Sequence, residues 1–190
     1  MCGIAGIAGH PDTALIHAMT DTLAHRGPDG EGHHVDGDIA LGHRRLAIID
    51  RAGGAQPMAY GGNRYWITYN GEVYNFQALR AELEGHGHVF TTRSDTEVVL
   101  AAYAHWGEAC VEKFRGMFAF ALWDSREKEL FLARDPVGVK PLYYAETGDA
   151  LYFASEMKAL LNCPEVNRDL DLESLDDYLT YLYTVPPRTF

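Results

Sequence analysis

The chain has few cysteines, little positive charge and no long apolar run in its 190 residues. Its three cysteines stand at Cys2, Cys110 and Cys163, an odd number without the short spacings of a disulfide framework or a zinc site. A reducing compartment suits such thiols, and a cytoplasmic location is expected. Lysine and arginine total 16 against 27 acidic residues, for a formal net charge of −11. No basic run exceeds Arg44-Arg45, so the clustered cations that bind a phosphate backbone are missing and no nucleic-acid partner is expected. No apolar segment is long enough to span a membrane, and no signal-peptide pattern opens the chain. His33-His34 and His86-Gly87-His88 are the histidine groups that suggest a metal, but both read as solvated loop positions, and no metal is expected.

What is present suits one globular domain: 47% of the residues are hydrophobic and 12% aromatic. Residues 2–9 (CGIAGIAG) read as a strand, and Leu15, Ile16, Met19 and Leu23 give helical spacing over 12–24. Residues 25–37 are rich in Gly, Pro and Asp and read as a loop with room for one strand. Strands follow at 38–49 and 64–69. Phe76, Leu79 and Leu83 mark a helix over 75–85 that Gly85 can end. Ser94 and Glu97 form a capping-box pattern at the head of a helix over 94–106. Residues 116–123 (GMFAFALW) and 129–134 read as a hairpin whose first strand is apolar on both faces, hence buried inside a layered structure. A further hairpin is expected around Glu146–Asp149. A last helix near 171–183 would turn Leu172, Leu175, Tyr178, Leu179 and Leu182 inward.

The second residue carries the chemistry. If an aminopeptidase removes Met1, Cys2 presents a thiol and a free α-amine on one residue. Their reference pKa values are near ~8.5 and ~7.7–8.0, so the amine can act as base for the thiol close to neutral pH. The alternative is that Cys2 is merely the second codon. Gly3 beside it permits close backbone approach.

In order along the chain stand MCGIAGIAG, HRGPDGEG, LGHRRLAIID, GGAQPM, YNGEVYNFQALRAELE, SDTEVVLAAY, GMFAFALWD, ARDPVGVKPLYY and FASEMKALL. This series resembles the glutaminase domain of glutamine-dependent asparagine synthetases, class II amidotransferases of the N-terminal-nucleophile hydrolase group, over essentially the whole chain. The resemblance implies an α+β fold: a four-layer αββα sandwich with two antiparallel sheets between helices. It implies hydrolysis of L-glutamine to L-glutamate and ammonia, with Cys2 as nucleophile.

The resemblance also distributes roles. Arg45, the second arginine of HRRLAIID, would bind the α-carboxylate of glutamine, for which a guanidinium fork suits better than lysine. The side chain of Asn70 and the backbone N–H of Gly71 would form the oxyanion hole, although Asn70-Gly71 is also the usual signal for a two-residue hairpin. Glu72 is expected at the amino end of the substrate. Asp95, in the first turn of its helix, is the sharper candidate for the α-ammonium, a role compatible with complementing the helix dipole. Arg26 would support the loop around the nucleophile from behind. Arg134-Asp135 would tie down the loop in which Gly138 and Pro141 set the turn.

Residues 1–163 are read as the glutaminase domain, and 164–190 as a C-terminal helix and the start of a linker to a synthetase domain. The Ser-Gly-Gly-x-Asp-Ser pyrophosphate loop of that second domain is not found, which suggests a truncated or divided chain or a fragment. The glutaminase step is expected to need no cofactor; ATP and magnesium would belong to the absent domain. Expected partners are L-glutamine and that synthetase domain, with the ammonia acceptor and the oligomeric state, a homodimer included, left open. The contrasting reading is a folded module that docks on a synthetase partner with its glutaminase function lost.

Overall fold

The small and β-branched residues after Cys2 form β1 (Gly3–Ala8) in the computed structural model, which describes residues 1–190. Asp12 then caps α1 (Thr13–Thr22) by accepting from the Leu15 N–H at 2.8 Å. Strands β2 (Gly30–Val35), β3 (Ile39–Arg45), β4 (Met58–Tyr60) and β5 (Tyr65–Val73) follow, then helices α2 (Phe76–Gly85) and α3 (Asp95–Trp106). The hairpin of β6 (Gly116–Asp124) and β7 (Glu129–Arg134) precedes that of β8 (Tyr143–Thr147) and β9 (Ala150–Ala154). The short α4 (Met157–Leu160) and the separate α5 (Leu172–Tyr181) close the chain. No helix is long and apolar enough to cross a membrane.

The strands make two antiparallel sheets, one ordered β2-β3-β1-β9-β8 and the other β4-β5-β6-β7. Both faces of β6 are filled, as its two-sided apolar pattern requires. Phe118, Phe120 and Leu122 join Val98, Leu100 and neighbours in a core between the second sheet and α2 and α3. Ala121 and Trp123 turn the other way and meet Ile39, Leu41 and Phe153 of the first sheet. On the outer side of the first sheet, Ile7 packs with Ile16, Met19 and Leu160 of α1 and α4. The result is helices, sheet, sheet, helices: the four-layer αββα sandwich expected.

Local readings were corrected where distant contacts decide. Asn70-Gly71 makes no hairpin; β5 runs straight through it, paired with β6 from Tyr65↔Asp124 to Val73↔Gly116. The strand expected over 38–49 stops at Arg45, whereas α2 ends at Gly85 as read, with Gly87 following at φ +90°. Ser94 accepts from the Glu97 N–H at 3.2 Å, but the reciprocal half of the capping box is not made. The Glu97 carboxylate instead takes the backbone N–H and hydroxyl groups of Thr91 and Thr92. His33 and His34 lie in β2, half-buried, with His34 stacked on Trp66 at 3.6 Å between centroids. The apolar stripe of α5 is not inward: Leu172, Leu179 and Leu182 are 71%, 70% and 78% exposed, and Tyr178 meets only the edge of Phe190. An amphipathic face is buried only where a layer covers it, and the four layers close without α5. Beyond Cys163, Ser174 alone is buried.

The two sheets are also joined by a polar contact. Thr68 of β5 donates to the carbonyl of Gly42 in β3 at 3.0 Å, and its hydroxyl lies 3.1 Å from His43 Nδ1. All three residues are buried. Thr68→Val keeps the shape and removes both bonds, leaving the buried His43 Nδ1 without a partner. It should destabilise the protein by about 1–3 kcal/mol in urea unfolding. An unchanged midpoint would show that the bolt carries no stability.

Candidate active site

One cavity of about 180 Å³ opens where β1, β3, β5 and α3 meet, and Cys2, Arg45, Asn70, Gly71, Glu72 and Asp95 all line it. Residues up to 93 apart in sequence are thus brought onto a single wall. Arg26 is not part of the cavity lining but contacts the Cys2 backbone.

Cys2 is fixed from both sides. Its Sγ accepts from the Leu46 N–H at 3.4 Å, and its own S–H reaches the Leu46 carbonyl at 3.6 Å. Burial pushes the Cys2 thiol up, and the Leu46 N–H, the chain terminus, Arg45 and Arg26 oppose that rise only in part. A thiol held up in this way needs a base to become a nucleophile. Arg26 donates from Nε to the Cys2 carbonyl at 2.8 Å and from Nη1 to Glu156 at 2.8 Å, so it links Glu156, two residues past the end of β9, to the residue before β1.

Arg45 ends β3 with its guanidinium braced by the backbone. Nη1 donates to the Arg51 carbonyl at 2.8 Å and Nη2 to the Asp50 carbonyl at 2.7 Å. Two of its five N–H donors are used, which leaves a fork for a carboxylate. Gly54 gives the fork its room, since a Cβ there would lie 2.5 Å from Nη2. Arg44 instead pairs with Asp21 and Glu31, away from the cavity.

The decisive geometry lies along β5. Its register turns the N–H groups of Tyr69, Gly71 and Val73 away from β6, and β4, only three residues long, pairs no further than Ile67. That leaves a run of edge N–H groups needing partners. Tyr69 N–H donates to Gln56 Oε1 at 2.7 Å, and Val73 N–H donates to Asp95 Oδ2 at 3.2 Å. Gly71 N–H lies between these two capped neighbours and faces the cavity. A Cβ on Gly71 would sit 2.4 Å from the Met117 carbonyl oxygen, so the strand can run here only as glycine. Asn70, on the opposite face of β5, turns toward the first sheet; its side chain is buried and its Nδ2 has no partner. A buried donor without an acceptor is costly unless a ligand completes it.

Asp95 begins α3 beside this edge, 4% exposed. Burial raises its pKa, and the Tyr69 hydroxyl at 2.8 Å and the Val73 N–H pull it back down. Both bonds engage Oδ2. Sequence reasoning missed Gln56, whose GGAQPM block was conspicuous but had no assigned task. It also missed Lys140, which lines the cavity from the loop after β7. Neither position carries a local pattern that announces its role. The tie expected of Arg134-Asp135 is present: Asp135 accepts from the Val139 and Lys140 N–H groups, and Arg134 donates to the Gly138 and Lys140 carbonyls.

A thiol at the start of a strand, facing unsatisfied donors across a four-layer sandwich, places the protein in the class of N-terminal-nucleophile amidotransferases. The chain belongs to the glutamine amidotransferase domain family, whose model matches residues 1–190. It is 45% identical over 196 residues to asparagine synthetase [glutamine-hydrolyzing] 1 of Bacillus subtilis (strain 168), covering 100% of this chain and 31% of that protein. It is 43% identical over 166 residues to asparagine synthetase [glutamine-hydrolyzing] 3 of Arabidopsis thaliana, covering 84% of this chain and 28% of that protein. The chain therefore spans about a third of the length of these curated relatives. Among solved structures it is similar to a glutamine phosphoribosylpyrophosphate amidotransferase from B. subtilis, with a TM-score of 0.70 and 28% identity over 84% of this chain and 43% of that one.

The Arg26 anchor has a pH signature. Burial alone would raise the Glu156 carboxyl, but Arg26, His25 and Lys158 outweigh it and hold the pKa at about 2. A carboxylate with a depressed folded pKa contributes stability above its unfolded value, and that contribution fades as the pH falls from about 4.5 toward 2. Glu156→Gln should therefore lower the melting temperature at pH 7, and the gap from wild type should close by about pH 2. A gap independent of pH would contradict an ionic role.

Proposed function

We propose that this domain hydrolyses L-glutamine to L-glutamate and ammonia at Cys2 after Met1 is removed. In the longer protein it supplies that ammonia to an ATP-dependent amide-forming portion of asparagine synthetase type. The observation that carries the reading is the unpartnered, buried Nδ2 of Asn70 beside the Gly71 N–H, in the same cavity as the Cys2 thiol.

The α-carboxylate of glutamine would take the free fork of Arg45, and its α-ammonium would lie against Asp95 with Glu72 nearby. Glutamine is then held at its charged end, and its carboxamide reaches toward Cys2. The Cys2 amine accepts the thiol proton, and sulfur attacks the carboxamide carbon. The negative oxygen that forms is met by Asn70 Nδ2 and Gly71 N–H, donors that need no reorganisation because the fold already holds them in place. The amine returns its proton to the leaving nitrogen and ammonia departs. Water, deprotonated by the same amine, opens the γ-glutamyl thioester to release glutamate and the thiol. No metal or organic cofactor enters this half-reaction; ATP and magnesium belong to the amide-forming portion. In that arrangement residues 1–163 are the catalytic unit and 164–190 lead toward the partner portion.

The test is glutamate release from protein whose intact mass confirms loss of Met1. Cys2→Ala should abolish turnover. Asn70→Ala should reduce kcat about 10²–10³-fold with a smaller effect on KM, the signature of a donor used in the transition state. Full activity in protein that retains Met1, or in Cys2→Ala, overturns the reading.

A further inference from the structure

Lys140 is the one charged residue on the cavity wall with no task in this scheme, yet it is buried, at 6% exposure. Its backbone is locked in place: its N–H donates to Asp135 Oδ2 at 3.0 Å, and its carbonyl accepts from Arg134 Nε at 2.7 Å. The side chain is thereby aimed at the chain terminus, where Nζ lies 3.3 Å from Met1 Sδ. It forms no ion pair. A thioether is a weak acceptor and a poor reason to bury a cation. Met1 is also the residue that processing takes away. Its side chain spans only a few bonds from Sδ to the Cys2 nitrogen, so its loss leaves Nζ facing the region in which the new α-amine appears.

The titratable groups around the cavity that holds Cys2 come from several elements. Arg45 is at the end of β3, Arg26 lies between α1 and β2, Glu72 and the Tyr69 hydroxyl are on β5, Asp95 begins α3, and Lys140 follows β7. Arg26 is already paired with Glu156. On the reading above, bound glutamine engages Arg45, Asp95 and Glu72 with its own opposite charges. Lys140 is then the charge left uncompensated on the cavity wall.

We propose that Lys140 is a positioning residue that sets the protonation of the nucleophile. Its ammonium, exposed to the Cys2 α-amine by removal of Met1, disfavours a second positive charge there and keeps that amine in the free-base form able to accept the thiol proton. The role rests on the glutaminase reading, because only an amine base gives it a purpose. A cation lowers the proton affinity of both amine and thiol, so losing it shifts both in the same direction.

The experiment compares processed wild type, Lys140→Met and Lys140→Arg by two pH profiles. One is the rate of Cys2 alkylation by iodoacetamide, followed by mass on the N-terminal peptide and needing no glutamine. The other is kcat/KM for glutamate release. Lys140→Met should move the acid-side midpoint of both profiles upward by roughly half to one pH unit, and Lys140→Arg should leave it in place. If Lys140→Met loses its melting transition, the neutral and polar Lys140→Gln replaces it in both profiles with the same expected shift. An unshifted midpoint in the neutral variant, whatever happens to the rate, overturns the proposal. A shifted alkylation midpoint in proteins that all fail to release glutamate overturns the glutaminase reading and leaves the electrostatic effect of Lys140 standing.

Discussion

The site depends on β4 being short. A longer β4 would continue the ladder past Ile67 and take the N–H groups of Tyr69, Gly71 and Val73 for itself. Because it stops, these donors face a cavity, and their need for partners organises the residues around them. Gln56 reaches in to satisfy Tyr69, and Asp95 reaches in to satisfy Val73. Those two side chains frame the cavity, and the donor between them is left for a ligand. A sheet edge, elsewhere a liability, here becomes a cavity wall because side chains cap it on either side of one glycine.

The layer order was legible in the sequence because it is written in a two-residue period. Phe118, Phe120 and Leu122 against Ala119, Ala121 and Trp123 state that two different layers press on one strand, and nothing local competes with that pattern. Asn70-Gly71 was ambiguous because its two readings differ only in what lies opposite. Nine paired positions on β6 outweigh a local turn preference. The stripe on α5 shows the reverse failure: helical spacing was read correctly, but the burial inferred from it needs a covering surface that periodicity cannot supply. Cys2, Arg45, Asn70, Gly71, Glu72 and Asp95 were drawn together by family resemblance and by the chemistry of each residue type. Gln56 and Lys140 had no such mark. Their contributions come from where loops carry them, and three-residue β4 is too short to show any period at all.

The electrostatics of the cavity follow from burial. Burial raises the Cys2 thiol and the Asp95 carboxyl alike, which biases both groups toward their neutral forms. In the proposed reaction glutamine itself reverses this bias. Its ammonium favours the ionised Asp95, and its carboxylate neutralises Arg45. On that proposal a molecule lacking either charge would leave Arg45 or Asp95 uncompensated, which would disfavour simple amides that carry the same carboxamide.

In the proposed reaction the two halves of the site must stay in register, since Cys2 leads into β1 of one sheet while Asn70 and Gly71 lie on β5 of the other. Apolar faces alone specify a separation better than a lateral position, because dispersion contacts tolerate sliding. The Thr68 bridge to Gly42 and His43 lies in the same sheet interface, two residues along β5 from Asn70 and two along β3 from Arg45. Burial and the nearby Arg45 lower the His43 pKa to about 3, so the imidazole stays neutral and the bridge is not broken by protonation across the range in which a Cys2 amine would titrate. A hydrogen bond between layers is directional where packing is not. Two residues from Asn70, it ties β3 to β5 beside the cavity, and so holds the sheet that Cys2 leads into and the strand that carries Asn70 and Gly71 at one fixed offset.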